Sequence, residues 1–391
     1  MTTNQKLLLF SILTIFCSEI SIAQNTTEKI LWDKSENIPV PYATIKSDQT
    51  YTISNEKGYF AIDFKSGKLL IQNLSYQNVE IDASYFKNND TIFMKSAVYE
   101  LDEIVIDKNE RFNKMRQTIK TDYALEPHQE KFFLRAVIKR NNAFYKIVDF
   151  SGYLQKKTLF GTTSNAAPKK NYTVQIENTR KVGFEHKEFD FEFFSFNIFF
   201  EVIASVYLAP EIYNYSYETS VDDKFTKILA IPKDKDKVKR QGYYFVDNAD
   251  NTFNEAYIVS KSPDAEFTKI RDFKYRTIFF EVKSNFARNE KTNKHQINLS
   301  VLKATTEVFK NNERDEFTIT YIYYANPTNT EMKLKNNVNL KTDMFELRGK
   351  YDAKYWEENQ ILPLTAEMQE FINKVNSSNE KSDFKSKSNM K

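Results

Sequence analysis

The sequence predicts a mostly β protein: a small N-terminal β-sandwich, a short helical connector, then a larger, curved antiparallel β-sheet domain with a few flanking helices. Three observations carry this. Short apolar runs recur between turn residues from Ile30 to Ile106. Period-two alternation recurs further on, as in Phe132 to Lys139, Tyr172 to Glu177 and Thr277 to Val282. Helical spacing is confined to a few short stretches. The 33 Phe and 23 Tyr supply apolar surface for one large or two moderate cores.

Residues 1–23 read as a signal peptide. Lys6 gives the positive start, Leu7 to Phe16 is an apolar run too short to span a bilayer, and Ser21 and Ala23 are small residues at −3 and −1 of a cleavage site. Bulky Phe16 before Cys17 argues against lipid attachment there. The expected location is the periplasm, with association with the outer membrane left open, and no transmembrane span is expected in the mature chain. Cleavage removes the single cysteine, so neither a disulfide nor a thiolate metal site is expected.

Residues 28–107 form the expected sandwich. Ile38 to Ile45 is extended around Pro39 and Pro41, which confines it to a strand start or an edge. Thr52 to Phe60, TISNEKGYF, reads as a hairpin whose turn places Gly58 at positive φ, a costly use of one of only seven glycines. Runs at Lys68–Gln72, Val79–Ile81, Asp90–Met94 and Leu101–Ile106 complete the strands. The order of Ile38-Pro-Val-Pro-Tyr-Ala-Thr-Ile45, Ser54-Asn-Glu-Lys-Gly-Tyr-Phe60, Leu74-Ser-Tyr76 and Leu101-Asp-Glu-Ile-Val-Ile106 resembles the carboxypeptidase-regulatory-like domain of exported Bacteroidetes-type envelope proteins. Two positions depart from that family: the opening Gly-x-Val strand is blurred into Ile30 to Asp33, and the Gly before Tyr76 is Ser75. The resemblance covers about a fifth of the chain. It implies an Ig-like or transthyretin-like sandwich in a cell-envelope setting, and a noncatalytic module.

Residues 108–122 are the expected helical connector, with Phe112, Met115 and Ile119 on one stripe. Residues 123–375 are the expected β-rich domain of unknown function, its strands half-buried. Ile198 to Leu208 reads as a short helix before Pro210. A second helix follows Thr365, with Met368, Phe371, Ile372 and Val375 on one face. This region also resembles, in Tyr123-Ala-Leu-Glu-Pro127, Phe132-Phe-Leu-Arg135 and Tyr355-Trp356 to Thr365, the segment after the same small domain in other exported proteins of unknown function. Residues 376–391 are expected to be a disordered tail, rich in Ser, Asn and Lys.

The chemistry is sparse. None of His128, His186 and His295 is followed three residues later by Glu, so the zinc pair of a carboxypeptidase is missing. No P-loop, nucleophile elbow or dinucleotide fingerprint occurs. No catalytic residue, cofactor or metal ligand is assigned. A net charge of +3 with mixed signs gives no nucleic-acid signal. The expected function is a non-enzymatic binding or assembly module of the envelope, with a protein, lipid or glycan as ligand. The alternative is a carrier of lipid or another hydrophobic ligand on the curved sheet, and a hydrolase using carboxylates stands behind both. The residues that motivate a hydrophobic ligand or partner surface are Phe189, Phe191, Phe193, Phe196, Phe199 and Phe200, for which the competing reading is plain core packing.

Overall fold

The computed structural model describes residues 28–390 except 48–50, 63–66, 74, 98, 101–108, 161–170, 188–189, 221–223, 271, 311–312, 329–331 and 379–383. The signal peptide, the expected strand Leu101–Ile106 and Phe189 therefore lie outside the described residues. The fold is mostly β and divides into two compact units. The first runs to Lys95 and takes in Gln360–Pro363; the second holds Ser96–Asn359 and Leu364–Lys391.

The first unit is a sandwich of two four-stranded sheets. One contains β1 (Glu28–Asp33), β2 (Ile38–Pro39), β5 (Tyr59–Ala61) and β8 (Thr91–Met94), the last parallel to β1. The other contains β3 (Thr44–Lys46), β4 (Tyr51–Ile53), β6 (Lys68–Gln72) and β7 (Val79–Asp82). Leu31, Val40, Phe60 and Ile92 meet Ile45, Leu69 and Ile71 in its core. The chain returns to this unit at Gln360–Pro363, where Ile53 N–H donates to the Ile361 carbonyl at 2.9 Å. That return was not expected from the sequence.

The TISNEKGYF turn differs from the expected hairpin. β4 pairs with β3, whereas β5 pairs with β1, so the turn carries the chain between sheets. Asn55 Oδ1 closes it by accepting from Lys57 N and Tyr59 N, and Gly58 has φ of 78°. The Gly58 carbonyl also accepts from Leu31 N–H at 2.9 Å, and a Cβ on Gly58 would sit 2.5 Å from the Leu31 carbonyl oxygen. Dihedral and close approach both demand glycine. Gly58→Val and Gly58→Asn are each expected to destabilise this unit by about 1–3 kcal/mol, although Asn tolerates the left-handed region. Thermal denaturation of both variants checks this; a wild-type melting temperature for Gly58→Asn would leave φ as the only constraint.

The second unit is built on one thirteen-stranded sheet, not closed into a barrel. Its strands are β9 (Tyr99–Glu100), β10 (His128–Arg140), β11 (Ala143–Lys156), β12 (Tyr172–His186), β13 (Tyr213–Ser220), β14 (Phe225–Pro232), β15 (Arg240–Asp247), β16 (Phe253–Lys261), β17 (Thr268–Ile270), β18 (Phe273–Asn289), β19 (Lys294–Lys310), β20 (Glu313–Pro327) and β21 (Phe384–Ser388). They lie in the order 21-12-11-10-20-19-18-16-15-14-13-9, with β17 beside β18. Register shifts at Ser151/Gly152, Phe245/Val246 and Asn285/Phe286 mark bulges, which bend and twist long strands.

The inner face of this sheet receives α1 (Glu110–Asp122) through Phe112 and Met115, and α2 (Phe196–Ile203) through Phe196, Phe199, Phe200 and Ile203. The outer face under β10 to β12 is covered by α4 (Ala366–Ser377), capped by Thr365, whose Met368, Phe371, Ile372 and Val375 meet Val137, Ile147 and Val182. A short α3 (Ala353–Glu358) brings Trp356 against Phe133. β10 is thus buried on both faces along its middle, rather than half-buried as its alternation implied, because helices lie on each side.

Two further expectations are corrected. The boundary near residue 107 moves to 95/96, since Tyr99 and Glu100 pair with Ser220 and Thr219 of β13. The tail expected to be disordered contains β21, which pairs with β12 from Val182↔Ser388 to His186↔Phe384. Lys387 bridges Glu185 and Glu346 at 2.7 Å, so this strand is held by backbone pairing and charge more than by burial. Among the described residues, no helix is long and apolar enough to cross a membrane.

Candidate functional site

The aromatic run at 190–200 crosses the inner face of the large sheet as part of a strap, residues 190–212. Its first end is tied by Asp190, which accepts from Tyr145 Oη at 2.8 Å and pairs with the buried ammonium of Lys146. Phe194 N–H donates to the Tyr321 hydroxyl, and Ser195 caps α2. At the other end Ser284 Oγ donates to the Ile203 carbonyl at 3.0 Å, and Leu208 N–H donates to Tyr244 Oη at 2.8 Å.

Between these ties the phenylalanines face inward. Phe191 stacks on Phe317 at 4.5 Å and 3°, Phe196 meets Phe132 and Phe150, Phe199 packs on Tyr321, and Phe200 packs on Tyr172 and Tyr323. Phe193, Phe196, Phe199 and Phe200 are buried. They are the core of their own chain, and the open ligand or partner wall expected of Phe191 to Phe200 is corrected accordingly. Burying each ring is worth about 1.5–3 kcal/mol, enough to keep a short apolar helix seated. The large apolar side chains that the strap shows to solvent are Ile198, Tyr207 and Ile212, at 48%, 43% and 45% exposure, set among exposed Glu192, Glu201, Ser205 and Glu211.

Beside Phe200 the same inner face carries an unexpected polar patch. His128 and Lys156 are directly opposite on β10 and β11, and Glu130 follows two residues on. Lys156 Nζ pairs with Glu130 Oε1 at 2.7 Å, both side chains being almost wholly buried, and Tyr323 Oη donates to the same oxygen. The ammonium lies 5.9 Å from the Phe200 ring centroid and 5.5 Å from that of Tyr323. His128 Nδ1 bonds the Glu126 carbonyl at 2.9 Å, whereas His128 Nε2 and Glu130 Oε2 are buried without a hydrogen-bond partner. Burial pushes the Tyr323 phenol well up, and Glu130 adds to this. It lowers the His128 pKa against the pull of Glu130. Burial likewise holds the Tyr172 phenol up at about 12. The alternation Phe132, Leu134, Ala136, Ile138, run backward by two and four residues, puts Glu130 and His128 on the apolar face. That was the available signal.

Two other carboxylates tie the frame. On the outer face Asp149 takes a bidentate Arg135, at 2.9 and 3.1 Å, and also Arg180. Burial opposes its charge, yet the two guanidinium groups hold its pKa below the usual carboxylate value. On the inner side Asp343 accepts from Phe345 N at 2.9 Å and Phe193 N at 3.3 Å, and burial raises its pKa to about 6.

Because the folded pKa of Asp343 lies above its unfolded value, the folded state holds this proton more tightly. Its stabilising contribution is present below about pH 4 and is lost as pH rises through 6. Asp343→Asn keeps an acceptor and removes the charge. Relative to wild type, the variant should gain melting temperature at pH 7.5, by an equivalent of about 1–3 kcal/mol, and lose most of that advantage by pH 4.5. A difference that does not change with pH would remove the assignment.

No protein-family model matches the chain. No curated protein matches it. Among solved structures, MucB in complex with MucA(peri) is similar over 56% of this chain and 94% of that chain, with 8% identity and a TM-score of 0.17. The Pseudomonas aeruginosa MucA/MucB complex gives 8% identity, 55% and 92% coverage and a TM-score of 0.17. A Bacteroides fragilis protein of unknown function, described as membrane-associated, gives 7% identity, 77% and 97% coverage and a TM-score of 0.14. At these scores no argument about function rests on the likeness.

Proposed function

We propose that the chain is a non-enzymatic, exported component of the cell envelope that works by binding, with the strap-covered face of the large sheet as its working surface. One observation carries this reading: an open sheet covers its aromatic inner face with a helix-and-coil strap whose outer side leaves Ile198, Tyr207 and Ile212 in solvent. The non-enzymatic part is supported by the buried carboxylates of this unit. Glu130 is committed to Lys156, Asp149 to Arg135 and Arg180, Glu255 to Lys283, and Glu307 to Arg276 and Arg314.

Native mass spectrometry of the mature chain released from its own envelope tests the binding reading. A noncovalent partner or adduct is expected; a bare chain in every preparation would remove it. Cell fractionation tests the location. Recovery in the cytoplasm with residues 1–23 attached would end the envelope assignment.

A further inference from the structure

We propose that the edge of β12 from Thr179 to His186 is a strand-docking site, which the chain's own β21 fills as an exchangeable ligand and which takes the same segment from a second copy of this chain. The inference goes beyond the strap-covered face and does not rest on it. β21 is an outermost strand of the large sheet, and β12 is its one neighbouring strand among the described residues. None of its five side chains is buried. In the interior of the same sheet, β10 and β11 carry long buried runs. A strand fastened by backbone pairing and half-exposed side chains sits at the low end of local stability, so it opens without the sheet unfolding.

The side-chain fastening is concentrated at three positions. That is the pattern of peptide recognition by strand addition, where main-chain pairing supplies affinity and a few side-chain seats supply selection. Phe384 lies edge-on to His186 at 5.0 Å, with the Arg140 guanidinium 5.4 Å from its ring centroid. Three residues on, Lys387 Nζ donates to Glu185 and to Glu346 at 2.7 Å. Two further on, Asn389 Nδ2 donates to the Thr179 carbonyl at 2.9 Å, and Asn389 Oδ1 accepts from Lys181 N at 2.8 Å. The site thus reads an extended segment with an aromatic residue, Lys three positions later and Asn two after that. Every copy of the chain carries this segment. The contacts are the same whichever copy supplies it, so exchange between two copies sacrifices none of them. Release also uncovers the Phe184 ring and the paired backbone of β12 at a sheet edge, the kind of template to which another strand adds.

The test uses full chains in solution. The variant Phe384→Ala/Lys387→Ala loosens its own strand and leaves the edge of β12 intact. By fluorescence anisotropy, a labelled peptide of residues 384–390 should bind this variant at least about tenfold tighter than wild type, whose tethered strand competes at high local concentration. Peptides carrying Phe384→Ala or Lys387→Glu should bind the variant at least about tenfold weaker than the native peptide. A second full-chain variant, Glu185→Lys/Glu346→Gln, keeps the strand and repels Lys387 from the edge. Mixed with the first variant, it should give a one-to-one complex by native mass spectrometry that neither gives alone. Equal peptide binding by wild type and variant, no binding, indifference to the peptide substitutions, or no complex from the mixture would each overturn the proposal. If a variant fails to fold, hydrogen exchange on wild type decides. Amides of β21 that exchange at least about a hundredfold faster than those of β10 support exchangeability, and amides that open only with the whole sheet refute it.

Discussion

Asp149→Ala is expected to destabilise the large unit by about 3–5 kcal/mol, among the largest losses that any single polar substitution in this protein should cause. Arg135 and Asp149 are both fully buried, at 0% exposure, and their two parallel hydrogen bonds are joined by a second cation, Arg180, which also lies over the Trp356 ring. Removing the carboxylate strands two guanidinium groups between the sheet and Trp356, with no anion to hold them. Arg180→Met should cost less, since Arg180 is partly exposed and Asp149 keeps its bidentate partner. Urea denaturation of the two variants decides the ranking. If Asp149→Ala lost no more than Arg180→Met, the account of a charge cluster clamped under the outer-face helices would be wrong. The same cluster sets an acid limit: the depressed pKa of Asp149 gives stability that is present above the unfolded value and lost as pH falls through the folded one.

Phe200→Ala is the second large effect, expected at about 3–5 kcal/mol from lost transfer energy plus the cavity left among Phe196, Tyr172 and Tyr323. On the same helix, Ile198→Ala should fall within about 0.5 kcal/mol, because Ile198 faces solvent. The contrast separates two meanings of one aromatic stretch. A free greasy wall would tolerate Phe200→Ala without loss of stability; a strap filling its own trough cannot. Thermal melts of the two variants side by side provide the measurement.

Periodicity made much of the fold legible. The alternation of Phe132 to Ile138 placed those residues on the inner face, and the capped stripe after Thr365 gave a real helix, because both signals are local and repeat within one element. What was missed depends on neighbours that no local pattern names. Phe133, Arg135 and Val137 looked solvent-facing until α4 and Trp356 were laid over them. Gly58 was readable as a positive-φ turn, but the pairing of β5 with β1 rather than β4 is a tertiary choice, marked where Leu31 N–H donates to the Gly58 carbonyl. Phe384 to Ser388 carries no apolar run, so composition could not announce a strand whose partners are the backbone of β12 and the carboxylates of Glu185 and Glu346. Glu130 and Lys156 hid for the opposite reason: charged residues at a strand end read as solvated, and only the register of β10, β11 and β20 turns them inward.

The claim that the strap-covered face is the working surface can be tested in living cells by photo-crosslinking. A benzophenone-bearing phenylalanine analogue would replace Ile198, exposed on the strap, or Ile270, similarly exposed on β17 at 43%. Neither side chain is in the core, so the fold should survive both replacements. Irradiation is predicted to give a discrete crosslinked species from position 198 and none from position 270. Crosslinking from 270 alone, or from neither position in cells that export the protein normally, would contradict the account.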